Sequence, residues 1–248
     1  MVYLTSRRFQ NDDILRGYLR IFIFRRRYVS IMESESFPCY FVSWNEAYLL
    51  AKELSRTIKH SDYRPDLIIA IGRGGYVPAR VVCDFLLHNL LTSMKVEHWG
   101  IAAHKKDQAV VRFPLAVDVK GLKVLILDDV TDTGDTLQIS VNYVESLDPT
   151  EIRTGVLQHK TVAQFQPDYY AEEITEWKWI IYPWAAHEDL VGFAERVISK
   201  GPLSILEIQT QLKKMFQLAV DEADLKDALE DLLSMGSVQK EDELYKTA

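Results

Sequence analysis

Val124–Thr136 reads VLILDDVTDTGDT, and the fold can be worked outward from this stretch. Val124–Leu127 is a short apolar run that reads as a strand buried on both faces, and it delivers two adjacent carboxylates, Asp128 and Asp129, to its end. A tight loop over Thr131–Thr136 then opens onto a helix expected over Gly134–Ser146. Such a loop offers backbone N–H groups and the positive end of a helix, a combination that suits a phosphate. Thr133 and Thr136 add hydroxyl donors, and Gly134 lets the backbone approach an anion closely. Acids beside a phosphate cradle make sense when the ligand also carries hydroxyls or magnesium. A phosphorylated sugar has both needs, with its diol on the carboxylates and its phosphate on the loop.

Two other chemistries could use these residues. Asp128-Asp129-Val130-Thr131-Asp132 also matches the DDxxD pattern of magnesium-binding prenyl-diphosphate enzymes, but that pattern needs a helix, whereas here a strand precedes the acids and a glycine loop follows. An ordinary strand-to-helix turn with capping acids would account for a single aspartate but not for the whole string.

Upstream, Leu67–Ile71 is a second apolar run, and it ends in Gly72-Arg73-Gly74-Gly75. A helix is expected from Pro78, with Val81, Val82, Phe85 and Leu86 on its apolar face. Ser43-Trp-Asn-Glu46 has the spacing of a capping box, and Ala47, Leu50, Ala51, Leu54 and Ile58 continue a helical stripe until Tyr63-Arg-Pro65 breaks it. Further strands are expected at Val96–Ala102, Ile152–Leu157 and Trp177–Ile181. Strands alternating with helices imply an α/β protein with a mainly parallel sheet, and ligands of such sheets bind outside the carboxyl ends of the strands. After Trp184 the pattern becomes helical. Leu190–Ile198 forms one segment, and Ile205, Ile208, Leu212 and Met215 a second. Leu225, Ala228, Leu229, Leu232 and Leu233 form a third, capped by Asp221 and stopped by Gly236, before a tail over Ser237–Ala248 able to pair as a hairpin.

Composition sets the outer limits. The chain has 248 residues, 48% hydrophobic and 26% charged, ordinary globular usage that excludes a fibrous or disordered chain. No apolar run approaches the ~18 residues of a membrane span. Two cysteines, Cys39 and Cys83, lie far apart, which argues for a reducing, cytoplasmic setting and against a zinc cluster. A net charge of −7 makes a poor nucleic-acid binder. The charge is uneven: residues 1–31 hold seven arginines against Asp12 and Asp13, or +5, which leaves −12 for the remainder. That basic segment, with Ile21–Phe24 inside it, reads as translated sequence upstream of a start at Met32, the other reading being a basic arm for a membrane surface or a nucleic acid. Three parts are expected: a basic extension over 1–40, an α/β domain over 41–186 and a helical part over 187–248.

The string at Val124–Thr136 resembles the phosphoribosyl-diphosphate (PRPP) signature of type I phosphoribosyltransferases, and the resemblance covers roughly Phe41 to Trp184. It implies a type I phosphoribosyltransferase fold. It also implies that Asp128 and Asp129 hold the ribose hydroxyls, with magnesium bound indirectly through PRPP. Thr131, Asp132, Thr133, Gly134, Asp135 and Thr136 would then form the 5′-phosphate loop. Asp132 would face a purine ring nitrogen as acid, base or hydrogen-bond partner. Asp135 departs from what a phosphate wants, so its side chain is expected to turn outward or meet a cation. Gly72-Arg73-Gly74-Gly75, about 55 residues before the acid pair, resembles the family's pyrophosphate loop, with Arg73 supplying charge and a cis peptide expected between Arg73 and Gly74. The polar stretch after Trp99 lies where the family has its lid, so Lys105, Lys106 and Arg112 are the cations expected to close over pyrophosphate.

Lys160 and Trp177–Trp184 (WKWIIYPW) resemble the base-recognition end of purine phosphoribosyltransferases, especially bacterial xanthine–guanine and archaeal 6-oxopurine types. Trp179 would stack on the purine, Ile180 would offer backbone groups and Lys160 would donate to a 6-oxo group. The expected partners are PRPP, a purine base and a second copy of the chain. Asp132 and Lys160 point to 6-oxopurines, whereas the helical C-terminal third resembles the adenine phosphoribosyltransferases of crenarchaea. The expectation leans to adenine, with hypoxanthine, guanine or xanthine as the alternative. The C-terminal helices and hairpin also resemble a winged helix, which raises a PRPP-sensing transcription regulator. Against it, residues 221–235 hold six acids and only Lys226 as a base, the wrong sign for a helix entering the major groove.

Overall fold

The computed structural model describes residues 36–99 and 105–248. The basic N-terminal segment over 1–31 therefore lies outside the described residues, as do 100–104 of the expected lid. Residues Pro38–Ala248 form one compact unit.

Its centre is a six-stranded sheet of β2 (Leu67–Gly72), β3 (Leu91–Trp99), β4 (Lys105–Phe113), β5 (Lys123–Thr131), β6 (Glu151–Lys160) and β7 (Tyr169–Ile174), in the order β4-β3-β2-β5-β6-β7. All neighbours pair in parallel except β3 with β4. Side chains alternate across a strand, so each central strand feeds two cores. Ile68, Ala70, Leu125 and Leu127 face one side, where helices α1 (Trp44–His60) and α2 (Tyr76–Leu86) bring Ala51, Leu54, Ala79 and Val82. Ile69, Ile71, Val124 and Ile126 face the other, beside Leu137 and Val144 of helix α3 (Asp135–Glu145). Both faces are covered, which is why these strands read as unbroken apolar runs.

Several boundaries differ from the sequence reading. The first inner helix starts at Tyr76, two residues before Pro78, and α3 is one residue shorter at each end than expected. β5 continues through Asp128 and Asp129 to Thr131, so the acids belong to the last part of a strand. β3 starts at Leu91, five residues before Val96, and Lys105 and Lys106 belong to β4. β7 was not foreseen; its sequence YYAEEI is too polar to announce a strand. Ser43 accepts a hydrogen bond from the Glu46 backbone N–H as a cap should, but the Glu46 carboxylate accepts from the Tyr40 hydroxyl at 2.6 Å instead of closing the box. The complete capping box is at Ser204 and Glu207.

A separate ribbon pairs β1 (Cys39–Phe41) in parallel with β8 (Trp179–Ile181). Beyond it come α4 (Ala186–Ile198), α5 (Ile205–Phe216) and α6 (Glu222–Ser234), then an antiparallel hairpin of β9 (Val238–Glu241) and β10 (Leu244–Thr247). Leu203, just before α5, bridges to Tyr245 in β10. Phe193 of α4 packs on Phe216 at the end of α5, their ring centroids 4.6 Å apart, and Leu225, Leu229 and Leu232 of α6 are buried. No helix among the described residues is long and apolar enough to cross a membrane.

Candidate active site

The chain leaves β2 toward β3 on one side, and the strand after β5 is β6 on the other. The crevice between the carboxyl ends of β2 and β5 is thus a topological switch point, where ligands of doubly wound sheets bind. A cavity of about 720 Å³ opens there. It is lined by Arg73 and Gly74 after β2, by Asp128–Gly134 and Thr136 after β5, by Lys160 at the end of β6, by Trp179, Ile180, Tyr182 and Trp184 around β8, and by Glu188 and Asp189 of α4.

Asp128 shares its strand face with Val124 and Ile126, and Asp129 shares the other with Leu125 and Leu127. Their carboxylates leave β5 in opposite directions and still border one cavity because the strand ends there. Burial raises the Asp128 carboxyl well above the usual carboxylate range, and the Asp129 charge adds to it. Burial also raises Asp129, an effect opposed by the Trp184 indole N–H donating to its Oδ2 at 3.1 Å. Trp184 stacks on Tyr182 with ring centroids 4.8 Å apart, and the Tyr182 hydroxyl lies 3.0 Å from the Asp129 carbonyl oxygen and 2.8 Å from Gln158 Oε1. A Cβ on Gly74 would fall 2.4 Å from the Asp129 carboxylate, so only glycine lets the two loops meet.

The loop after β5 has the shape of an anion cradle. Gly134 caps α3 at φ 92° and has no side chain to accept from the helix, and the first helical N–H, that of Asp135, makes a long contact of 3.4 Å to Thr133 Oγ1. The Oγ1 of Thr131 is buried and has no hydrogen-bond partner among the described residues. Thr133 and Thr136 line the cavity, but Asp135 does not: it lies in the first turn of α3, where an acid suits the helix dipole. The cis peptide is Gly72–Arg73, one bond earlier than expected. Arg73 does not point freely at a leaving group, because its Nη2 donates to both carboxylate oxygens of Glu188 at 2.8 and 2.6 Å.

Lys160 is only 2% exposed, and its Nζ lies 2.7 Å from Asp132 Oδ1, so it is an interior cation with an interior partner. The Trp177 indole N–H donates to the same oxygen at 3.2 Å, and the Lys160 ammonium stands 4.9 Å from the centre of the Trp177 ring. Trp179 and Ile180 line the cavity. Trp179 donates its indole N–H to Asp189 Oδ2 at 3.1 Å, and burial pushes the Asp189 carboxyl up to about 7. Sequence reasoning had no role for Trp177, Tyr182, Trp184, Glu188 or Asp189. Three of these lie inside the quoted WKWIIYPW segment, whose density of indoles was the available signal. The two acids of α4 carried none.

Among the described residues no group of three or more histidines, cysteines, aspartates or glutamates is arranged to hold a metal ion. A divalent cation would therefore need most of its oxygens from a ligand, beside the buried acid pair.

Residues 42–189 match the family model for the phosphoribosyl transferase domain, which is more than half of the chain. The chain belongs to this family. It is similar to xanthine phosphoribosyltransferase 1 of Saccharomyces cerevisiae, with 27% identity over 60% of this chain and 90% of the relative. It is also similar to the xanthine-guanine phosphoribosyltransferase of Gluconobacter oxydans, with 30% identity over 58% of this chain and 82% of the relative. Among solved structures, the purine phosphoribosyltransferase of Pyrococcus horikoshii superposes with a TM-score of 0.51 at 30% identity, covering 59% of this chain and 93% of that one.

Proposed function

We propose that this protein transfers a 5-phosphoribosyl group from PRPP to a 6-oxopurine, giving the nucleoside monophosphate and pyrophosphate. The observation that carries the reading is the Lys160–Asp132 pair, a buried donor and acceptor side by side in the cavity next to the anion cradle. A 6-oxopurine presents an oxygen at position 6 and a ring nitrogen at position 7 on neighbouring edges. Lys160 donates to the first, and Asp132 serves the second. The adenine expectation finds no support in the relatives above, whose names give xanthine and guanine.

The roles of the other residues follow from charge and reach. Thr131, Thr133, Gly134 and Thr136 hold the 5′-phosphate, and Asp128 and Asp129 accept from the ribose hydroxyls. Arg73, once released from Glu188, meets the diphosphate beside Gly74, Trp179 covers the base, and Ile180 offers backbone groups to its edge. With the base bound as its N7–H tautomer, N9 forms the new bond to the anomeric carbon as the bond to the diphosphate oxygen breaks. Pyrophosphate leaves with the electron pair, and Asp132 takes the N7 proton. A magnesium ion, if held with the diphosphate beside Asp128 and Asp129, would supply positive charge that eases departure of the leaving group. The protein's own contribution is alignment of the two reactants and charge placed in advance around the transition state. Residues 41–186 carry the groups that hold PRPP and the O6 and N7 edge of the base, and the first turn of α4 adds Glu188 and Asp189 to the cavity wall. Residues 187–248, in the order helix, bridge, helix, helix, hairpin, form a winged-helix-like appendage, and the active form is a homodimer.

A spectrophotometric assay with PRPP and magnesium tests the reading, with hypoxanthine, guanine, xanthine and adenine offered in parallel. Turnover of the oxopurines with adenine at background is the expected result. Turnover of adenine alone would overturn the base assignment, and tight PRPP binding without turnover of any base would return the sensor.

A further inference from the structure

The reading above leaves one buried group of the cavity unused. The acids of β5 and the threonines serve PRPP, Arg73 and Glu188 pair with each other, and Lys160 and Asp132 serve one corner of the base. Asp189 remains. It is 7% exposed, lines the same cavity and spends Oδ2 on the indole N–H of Trp179, the ring proposed to cover the base. No intraprotein ion pair compensates its charge among the described contacts. Lys160, Trp179, Ile180 and Asp189 all line this one cavity, and the bond to Trp179 ties Asp189 to the ring proposed to cover the base.

A purine whose N7 and O6 occupy Asp132 and Lys160 presents N1 and then position 2 as the next stations around its rim. We infer that Asp189 is the specificity-determining residue for that rim, its free carboxylate oxygen accepting from N1–H and from a 2-amino group. This rests on the 6-oxopurine reading. A buried carboxylate rewards guanine, which offers both donors. It tolerates hypoxanthine, which has a C–H at position 2. It opposes xanthine, whose 2-carbonyl points an oxygen at an oxygen with no solvent between them.

The test is Asp189→Asn in the full-length enzyme, with kcat/KM measured for guanine, hypoxanthine and xanthine. Asparagine still accepts from Trp179 and can donate to a 2-carbonyl. The expected result is that the guanine-to-xanthine preference falls by about tenfold or more, while hypoxanthine, which loses only the acceptor for N1–H, changes by an amount between those of guanine and xanthine. Equal losses on all three bases would overturn the inference, because they would mean that Asp189 merely holds Trp179. A preference unchanged within about twofold would overturn it as well. Failure of the parent reading looks different, since the unmodified enzyme would then turn over none of the three. The melting temperature of the variant at pH 8 reports whether it is folded.

Discussion

Lys160 shows how much one side chain can depend on its neighbours. An ammonium that is 2% exposed survives inside a protein because Asp132 lies 2.7 Å away and the Trp177 ring offers its face. Removing one partner of a buried ion pair costs about 3–5 kcal/mol, a figure that is an upper bound here because Trp177 still donates to Asp132 when Lys160 is lost. Lys160→Met is therefore expected to lower the melting temperature and to reduce kcat/KM for hypoxanthine by about 100-fold or more, measured by thermal denaturation and steady-state kinetics. Gly134 is a second single-residue constraint. Its φ of 92° and the 2.6 Å approach of a would-be Cβ to Phe165 leave no room for alanine. Gly134→Ala should destabilise the fold by about 1–3 kcal/mol and raise the KM for PRPP more than that for the base. The tight turn at Gly134 was legible in the sequence, because a glycine at a helix start marks a backbone conformation that other residues avoid. The depth of Lys160 was not, since a lysine at the end of a strand is usually at the surface.

At the scale of elements, the first turn of α4 reaches the loop after β2. Glu188 holds Arg73 there, and His187 lies 2.7 Å from Asp231 of α6, so one helical turn touches both the candidate pyrophosphate loop and the C-terminal helices. The Arg73 and Glu188 side chains are 69% and 33% exposed, and exposed pairs contribute at most about 1 kcal/mol. Glu188→Gln is thus expected to lower the KM for PRPP by no more than about fivefold, with kcat for a saturating base unchanged. A rise in that KM would show that Glu188 helps to place Arg73 and does not compete for it. The element boundaries that sequence reasoning missed have one cause in common. β7 pairs with β6 at an edge and carries polar residues, so hydrogen bonding to β6 and not side-chain pattern makes it a strand. Glu46 likewise left its capping box because Tyr40 of β1 came within 2.6 Å, a contact between separate elements.

For the whole molecule, three acids gathered around one cavity, Asp128 and Asp189 buried and Asp129 half-buried, impose a pH dependence. Asp128, Asp129 and Asp189 all have folded-state pKa values above those of the unfolded chain, so the folded protein binds protons more tightly. Their ionisation costs stability at alkaline pH, and that cost is relieved as the pH falls through the raised values toward 4. His159 works the other way below its usual 6.5, because burial lowers its pKa. The melting temperature without ligand is expected to rise between pH 8 and pH 6, and Asp189→Asn should flatten the rise over that window, where its carboxyl near 7 titrates. A variant whose melting curve keeps the parental pH slope would show that Asp189 is ionised throughout.

The sequence by itself determined the α/β class, the two loops that face each other across the switch point and the acid pair between them. Each of these is written in contiguous residues, such as the apolar runs ending in Gly72–Gly75 and Asp128–Thr136, and strand burial, loop geometry and helix starts are local properties of the chain. Tertiary structure alone decided which groups those residues answer to: Arg73 to Glu188, Asp132 to Lys160 and Trp177, Asp129 to Trp184, and Trp179 to Asp189. Most of these pairs are separated by tens of residues. Even the near pair, Trp179 and Asp189, joins a strand to the next helix, so contact is set by how the elements pack and not by spacing. Burial then decides the chemistry, because the same carboxylates in water would be ordinary anions, whereas at the closed end of this sheet their protons and partners are chosen by the fold.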